Sequence, residues 1–69
     1  MLPPEIVQRL SDKYGLTVGL TLHTPDDRYG ILLNVGFDPD IGIVQFLNDS
    51  GVYVTESFEL SELSRANTH

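Results

Sequence analysis

From Leu16 onward apolar residues recur at every second position in runs of seven to nine residues, and the first three runs each end in Pro, Asp, Asn or Gly. A period of two places successive side chains on opposite faces, so these runs are half-buried strands and the stops between them are turns. The spacing predicts strands over 16–23, 29–37, 41–47 and 52–58. Thr24-Pro25-Asp26-Asp27, Asp38-Pro39-Asp40 and Asn48-Asp49-Ser50-Gly51 join them, each short enough for a hairpin. The fold class that follows is mainly β: a small antiparallel barrel or curled sheet of four or five strands.

Each strand also carries an expected orientation. In the first, Leu16, Val18, Leu20 and Leu22 share one face and Thr17, Gly19, Thr21 and His23 the other. In the second, Tyr29, Ile31, Leu33, Val35 and Phe37 share the face expected to turn inward, leaving Gly30, Leu32, Asn34 and Gly36 opposite. Two glycines on that back face suggest a bend or the close approach of another element. The third strand is ambiguous, with Val44 and Phe46 against Ile43, Gln45 and Leu47. In the fourth, Val52, Val54 and Phe58 oppose Tyr53, Thr55 and Ser57.

Ahead of the strands, Pro3-Pro4 and Gly15 bracket a helix over 4–14 whose apolar face is Ile6, Val7, Leu10 and Tyr14. Leu60-Ser61-Glu62-Leu63 reads as a helical turn over 60–63, and 65–69 as a polar tail or a very short last strand. No repeat or linker divides residues 1–69, which form one domain. Twenty-eight apolar residues of 69 supply one modest core. Leu, Val and Ile account for twenty of them and Ala for one, a bias towards strand formers. Without cysteine there is neither a disulfide nor a thiolate metal site to staple it, so oligomerisation or a partner is the expected source of extra stability.

The strand meander, the central Gly42-Ile43-Val44-Gln45-Phe46 and the closing Phe58-Glu59-Leu60-Ser61-Glu62-Leu63 turn resemble an SH3-like small barrel of the Tudor or KOW kind over about residues 16–64. The N-terminal helix is an addition to that pattern. A similar closing turn occurs in the SH3-like ferredoxin-docking subunits of photosynthetic NAD(P)H-dehydrogenase-like complexes. Those subunits meet acidic ferredoxin with basic residues, which Tyr29–Ser64 lacks, so the resemblance implies the fold and not that docking role.

Charge narrows the function classes. The thirty-six residues from Tyr29 to Ser64 contain no Lys or Arg but carry Asp38, Asp40, Asp49, Glu56, Glu59 and Glu62, which is the whole net charge of −6. Nucleic-acid and anionic membrane surfaces demand the opposite sign, so neither is an expected partner. Direct nucleic-acid binding would require Arg9, Lys13, Arg28 and Arg65 to converge on one patch. The N-terminus has no basic flank, and no apolar run approaches the roughly 20 residues that span a bilayer, which leads us to expect a cytoplasmic protein.

Site-bearing motifs are few. Asp38 and Asp49 bracket an EF-hand-like spacing, but Ile43 stands where that loop needs Gly, so no metal is expected. His23 and His69 are too few and too separated for a metal site. A catalytic His23 would need a carboxylate, with Asp26 and Asp27 available, and a nucleophile such as Ser50 or Ser57, which no spacing selects. No Gly-x-Ser-x-Gly or phosphate loop is present, so neither an enzyme nor a cofactor is expected. Tyr29, Tyr53, Phe46 and Phe58 are candidates for an aromatic cage, although Tyr29 and Phe58 share faces with aliphatic residues that favour the core.

The expectation is therefore a non-catalytic acidic interaction module or small regulatory subunit that binds a basic protein surface. Its candidate contact residues are Leu32, Asp38, Asp40, Asp49, Tyr53, Glu56 and Glu59, with Tyr53 as the exposed anchor and Leu32 beside it. The alternative is a nucleic-acid mimic that inhibits a DNA-handling enzyme. An open sheet edge would also invite homodimerisation by strand pairing.

Overall fold

The computed structural model describes residues 3–66: helix α1 (Pro4–Tyr14), strands β1 (Thr21–His23), β2 (Tyr29–Gly36), β3 (Ile41–Leu47) and β4 (Tyr53–Glu59), a 3-10 turn (Leu60–Glu62) and β5 (Ser64–Arg65). The expected tail beyond Ala66 lies outside the described residues. All strand pairings are antiparallel, in the order β4-β3-β2-β1-β5, and the sheet does not close.

Pro4 opens α1, and Gly15 ends it in the left-handed conformation at φ +68°, its N–H donating to the Ser11 carbonyl at 2.8 Å. Leu10 is the fully buried residue of the helix and Tyr14 packs against the core, whereas Val7, expected on the same stripe, stays exposed. Two polar contacts tie the helix end to the turn before β3: Lys13 Nζ donates to Asp40 Oδ2 at 2.7 Å, and the Tyr14 hydroxyl donates to the same oxygen.

The first strand is shorter than its alternation suggests. Leu16 enters the core, but Gly19 adopts φ +93° and the Leu20 N–H donates to Thr17 O at 3.1 Å, so residues 17–20 turn and Val18 faces outward. Only Thr21–His23 pairs as a strand with β2. A left-handed glycine breaks the pleat that the hydrophobic pattern would otherwise continue.

In β2 the expected face is inverted over its first half. Gly30 and Leu32 point into the core, while Tyr29, Ile31 and Leu33 are exposed. The reason is a bulge: Leu32 pairs with Val44 but Asn34 pairs with Ile43, leaving Leu33 as an extra residue. Each such residue switches which parity faces inward. Beyond it Val35 and Phe37 do pack against the core, as the alternation requires. Leu32 is thus a core residue at 0% exposure and not a neighbour of Tyr53, and Tyr29 is a surface residue.

The ambiguity of β3 resolves with Gly42, Val44 and Phe46 inward. A Cβ on Gly42 would lie 2.9 Å from Leu60 and 3.0 Å from Leu32, so glycine there lets the closing turn drop Leu60 and Leu63 onto the sheet. Burying each such leucine stabilises the fold by about 1.5–3 kcal/mol. Seven regular pairs, from Ile41 with Glu59 to Leu47 with Tyr53, join β3 to β4. No helix among the described residues is long and apolar enough to cross a membrane.

Candidate interaction surface

Cross-strand pairs in an antiparallel sheet share a face, so the registers fix what the outer side of the sheet presents. Tyr29 and Ile31 on β2, Ile43, Gln45 and Leu47 on β3, and Tyr53, Thr55 and Ser57 on β4 stand on the side opposite the core. Tyr29, Leu47 and Tyr53 are 62, 61 and 64% exposed, and Leu47 pairs directly with Tyr53. The charged residue that joins this side on β4 is Glu59, at its far end. Tyr53 is exposed as the sequence indicates. Tyr29 and Leu47, which accompany it, were concealed by the parity switch in β2 and the undecided face of β3.

The acids expected to line this surface divide into two groups. Asp40 accepts from Lys13 and Tyr14. Glu56, on the core side of β4, accepts from Arg28 at both carboxylate oxygens, Nη1 to Oε2 at 2.6 Å and Nη2 to Oε1 at 2.9 Å. Arg28 also donates from Nε to Asp26 Oδ2 at 2.7 Å and stacks 4.2 Å from the centre of the Phe46 ring. Both carboxylates titrate below the ordinary range, Glu56 because of the Arg28 hydrogen bonds and Asp40 because of those from Lys13 and Tyr14. The base-free stretch therefore takes its counter-charges from residues before Tyr29. Asp38, Asp49, Glu59 and Glu62 have no ion-pair partner among the described residues and are exposed.

Asp49 and Tyr29 come together at one end of the sheet, lining a depression with Arg28, Phe46, Leu47 and Val54. An aromatic cage does not assemble. Phe46 meets Phe58 edge-on in the interior at 6.1 Å, Arg28 covers the Phe46 ring, and Tyr29 leans on His23 at 5.0 Å. His23 finds Asp27 as its carboxylate, Nε2 to Oδ1 at 2.7 Å, while Ser57 lies on β4 with β2 and β3 in between. Among the described residues no cluster of three or more His, Asp or Glu side chains is arranged to hold a metal ion.

The turn that carries Arg28 is set by Thr24, a fully buried polar residue. Its hydroxyl donates to the Asp26 carboxylate and accepts from the Arg28 N–H at 3.1 Å, and its own N–H donates to Arg28 O at 2.9 Å. That network aims the guanidinium across the sheet towards β4.

Fold and surface together define a mainly β protein whose five antiparallel strands form an unclosed sheet beneath one N-terminal helix. The chain matches no known protein family, no curated protein and no solved structure.

Proposed function

We propose that this protein is a non-catalytic interaction module, or a small regulatory subunit, that binds a basic protein surface through the outer side of its sheet. The observation that carries the reading is the grouping of exposed Tyr29, Leu47 and Tyr53 with the unpaired Asp49 at one end of the sheet, the unpaired Glu59 at the far end of β4, and the lack of any Lys or Arg among the outward residues of β2, β3 and β4. Aromatic and aliphatic anchors supply affinity, and acids at the rim speed and orient the encounter. The contact set is Asp38, Asp49, Tyr53 and Glu59 from the sequence, with Tyr29 and Leu47 added and Leu32 removed. Asp40 and Glu56 are removed as well, because they are engaged in ion pairs within the chain, with Lys13 and Arg28.

An SH3-like relationship belongs to the same proposal, supported by the strand order in which β5 returns to pair with β1. Mimicry of nucleic acid is the weaker reading because Asp40 and Glu56 are neutralised by Lys13 and Arg28, which thins an already sparse row of carboxylates. Direct nucleic-acid binding loses support likewise: Arg9 stacks on Phe37, Lys13 and Arg28 are paired with acids, and Arg65 sits on β5.

Affinity capture from native extract at low and high salt, followed by mass spectrometry, tests the reading. A basic protein retained by the native chain at low salt, released at high salt and lost with Tyr53→Ala plus Asp49→Asn and Glu59→Gln supports it. Capture indifferent to all three substitutions overturns it.

A further inference from the structure

Resting on that reading of an acidic interaction module, we propose that its partner docks by strand addition: an extended segment alternating apolar residues with Lys or Arg pairs with the free edge of β4.

The strand order leaves β4 with one neighbour, β3, so the backbone groups on its other side meet no strand among the described residues. Every residue of Tyr53–Glu59 except Phe58 is exposed. Proteins that need a closed edge protect it with Lys, Pro, a bulge or a covering loop. This edge has no Lys, Pro, bulge or covering loop among the described residues: its sequence is Tyr-Val-Thr-Glu-Ser-Phe-Glu, its register with β3 is unbroken over seven pairs, and its one inward-side charge, Glu56, is paired with Arg28. The bulge of the sheet is placed instead in β2, an internal strand, where it does not disturb the edge.

The two rows of side chains along β4 specify the occupant. On the core side Val54 and Phe58 flank Glu56, whose charge Arg28 already satisfies, so the row offers apolar contact. On the outer side Tyr53 and Glu59 stand at the ends with Thr55 and Ser57 between them. A strand laid alongside places alternate residues against each row, so apolar residues would face Val54 and Phe58 while cations would face Tyr53 and Glu59. Charge argues against a second copy as the occupant. Two-fold pairing of β4 would bring together two chains of −6 each.

The test uses an acetylated and amidated eight-residue peptide of alternating Lys and Val, titrated into the isotope-labelled full chain while amide shifts and amide hydrogen exchange are followed. Expected are shifts concentrated on Tyr53–Glu59, slowed exchange of its outward amides, and no binding of a matched control peptide of alternating Glu and Val. N-methylation of alternate peptide nitrogens on the pairing side should weaken binding at least about tenfold, because it removes main-chain bonds and leaves charge unchanged. Thr55→Lys, at an exposed position, should weaken it as well. Salt-sensitive binding that ignores N-methylation, or shifts confined to other strands, overturns strand addition while leaving the acidic-surface reading standing. Failure of the Lys-Val peptide to bind at low salt also overturns strand addition, and the capture experiment then decides the broader reading independently. A free protein that sediments as a dimer with its β4 amides already protected overturns the choice of occupant.

Discussion

Arg28 and Glu56, twenty-eight positions apart, meet in a two-pronged ion pair, 2.6 and 2.9 Å, that crosses the core side of the sheet over the Phe46 ring. Arg28 leaves the turn between β1 and β2, and Glu56 sits at the middle of β4, so the pair links strands that share no hydrogen bond. The outermost long strand is thereby held towards the inner part of an unclosed sheet.

Arg28→Ala should release that restraint. The Glu56 carboxyl, held low by the guanidinium, moves up towards the ordinary range, and β4 amides exchange faster. Arg28→Lys restores the charge but not the two parallel bonds, so its effect should be intermediate. Carboxyl titration and hydrogen exchange by NMR check both; an unmoved Glu56 titration in Arg28→Ala would contradict the pairing.

Stability should fall at both ends of the pH scale. Arg28 lowers Asp26 and Glu56, with Thr24 assisting at Asp26, and Lys13 followed by Tyr14 lowers Asp40. A carboxyl depressed in the folded state contributes fully above its unfolded value, about 4, and loses that contribution as pH falls through the folded value. Lys13 and Tyr14 are raised, chiefly by bonding to Asp40, so their contribution is complete below about 10 and lost as pH rises through their folded values. Urea midpoints across pH should show both limbs, and Asp40→Asn should flatten the alkaline one.

Gly30 and Gly36 lie on the same strand but should differ sharply on substitution. A Cβ on Gly30 would lie 2.6 Å from Val44 Cγ1 and 2.8 Å from the Gln45 carbonyl oxygen, whereas at Gly36 it meets nothing within 4 Å. Overpacking of this kind costs about 1–3 kcal/mol. Chemical denaturation should therefore separate Gly30→Ala from a near-neutral Gly36→Ala.

Leu32→Ala and Tyr53→Ala test the division between core and surface. Leu32 is fully enclosed, so its truncation should cost about 2–5 kcal/mol. Tyr53 is 64% exposed, and its removal should change stability by no more than about 0.5 kcal/mol while weakening partner capture. Equal losses of stability would contradict the assignment of faces in β2 and β4.

Element types and turns were legible because their causes are local. Pro4 and Gly15 delimit α1, the turns fall at the Pro, Asp and Asn clusters, and β2, β3 and β4 lie within a residue of the strands that alternation marks. Tyr53 is exposed as expected, but Val52 and Val54 opposite it are exposed too, at 55 and 37%, because β4 is an edge strand and its burial does not follow the alternation. Misreadings began where a single residue altered the backbone. Gly19 ended the first run early, and Leu33 reversed the parity of β2, which moved Leu32 inward and Tyr29 outward.

The charge block shows the same limit from another direction. Thirty-six residues without a base fixed the sign of the surface, and nothing beyond the sequence was needed to know it. Which carboxylates remain free is a matter of distances between residues far apart in the chain. Folding brought Lys13 to Asp40 and Arg28 to Glu56 and left Asp49 and Glu59 without ion-pair partners among the described residues. Period, turn chemistry and net charge are properties of neighbouring residues and belong to the sequence. Strand register, bulge position and ion-pair choice depend on which distant segments meet, and only the tertiary structure decides them.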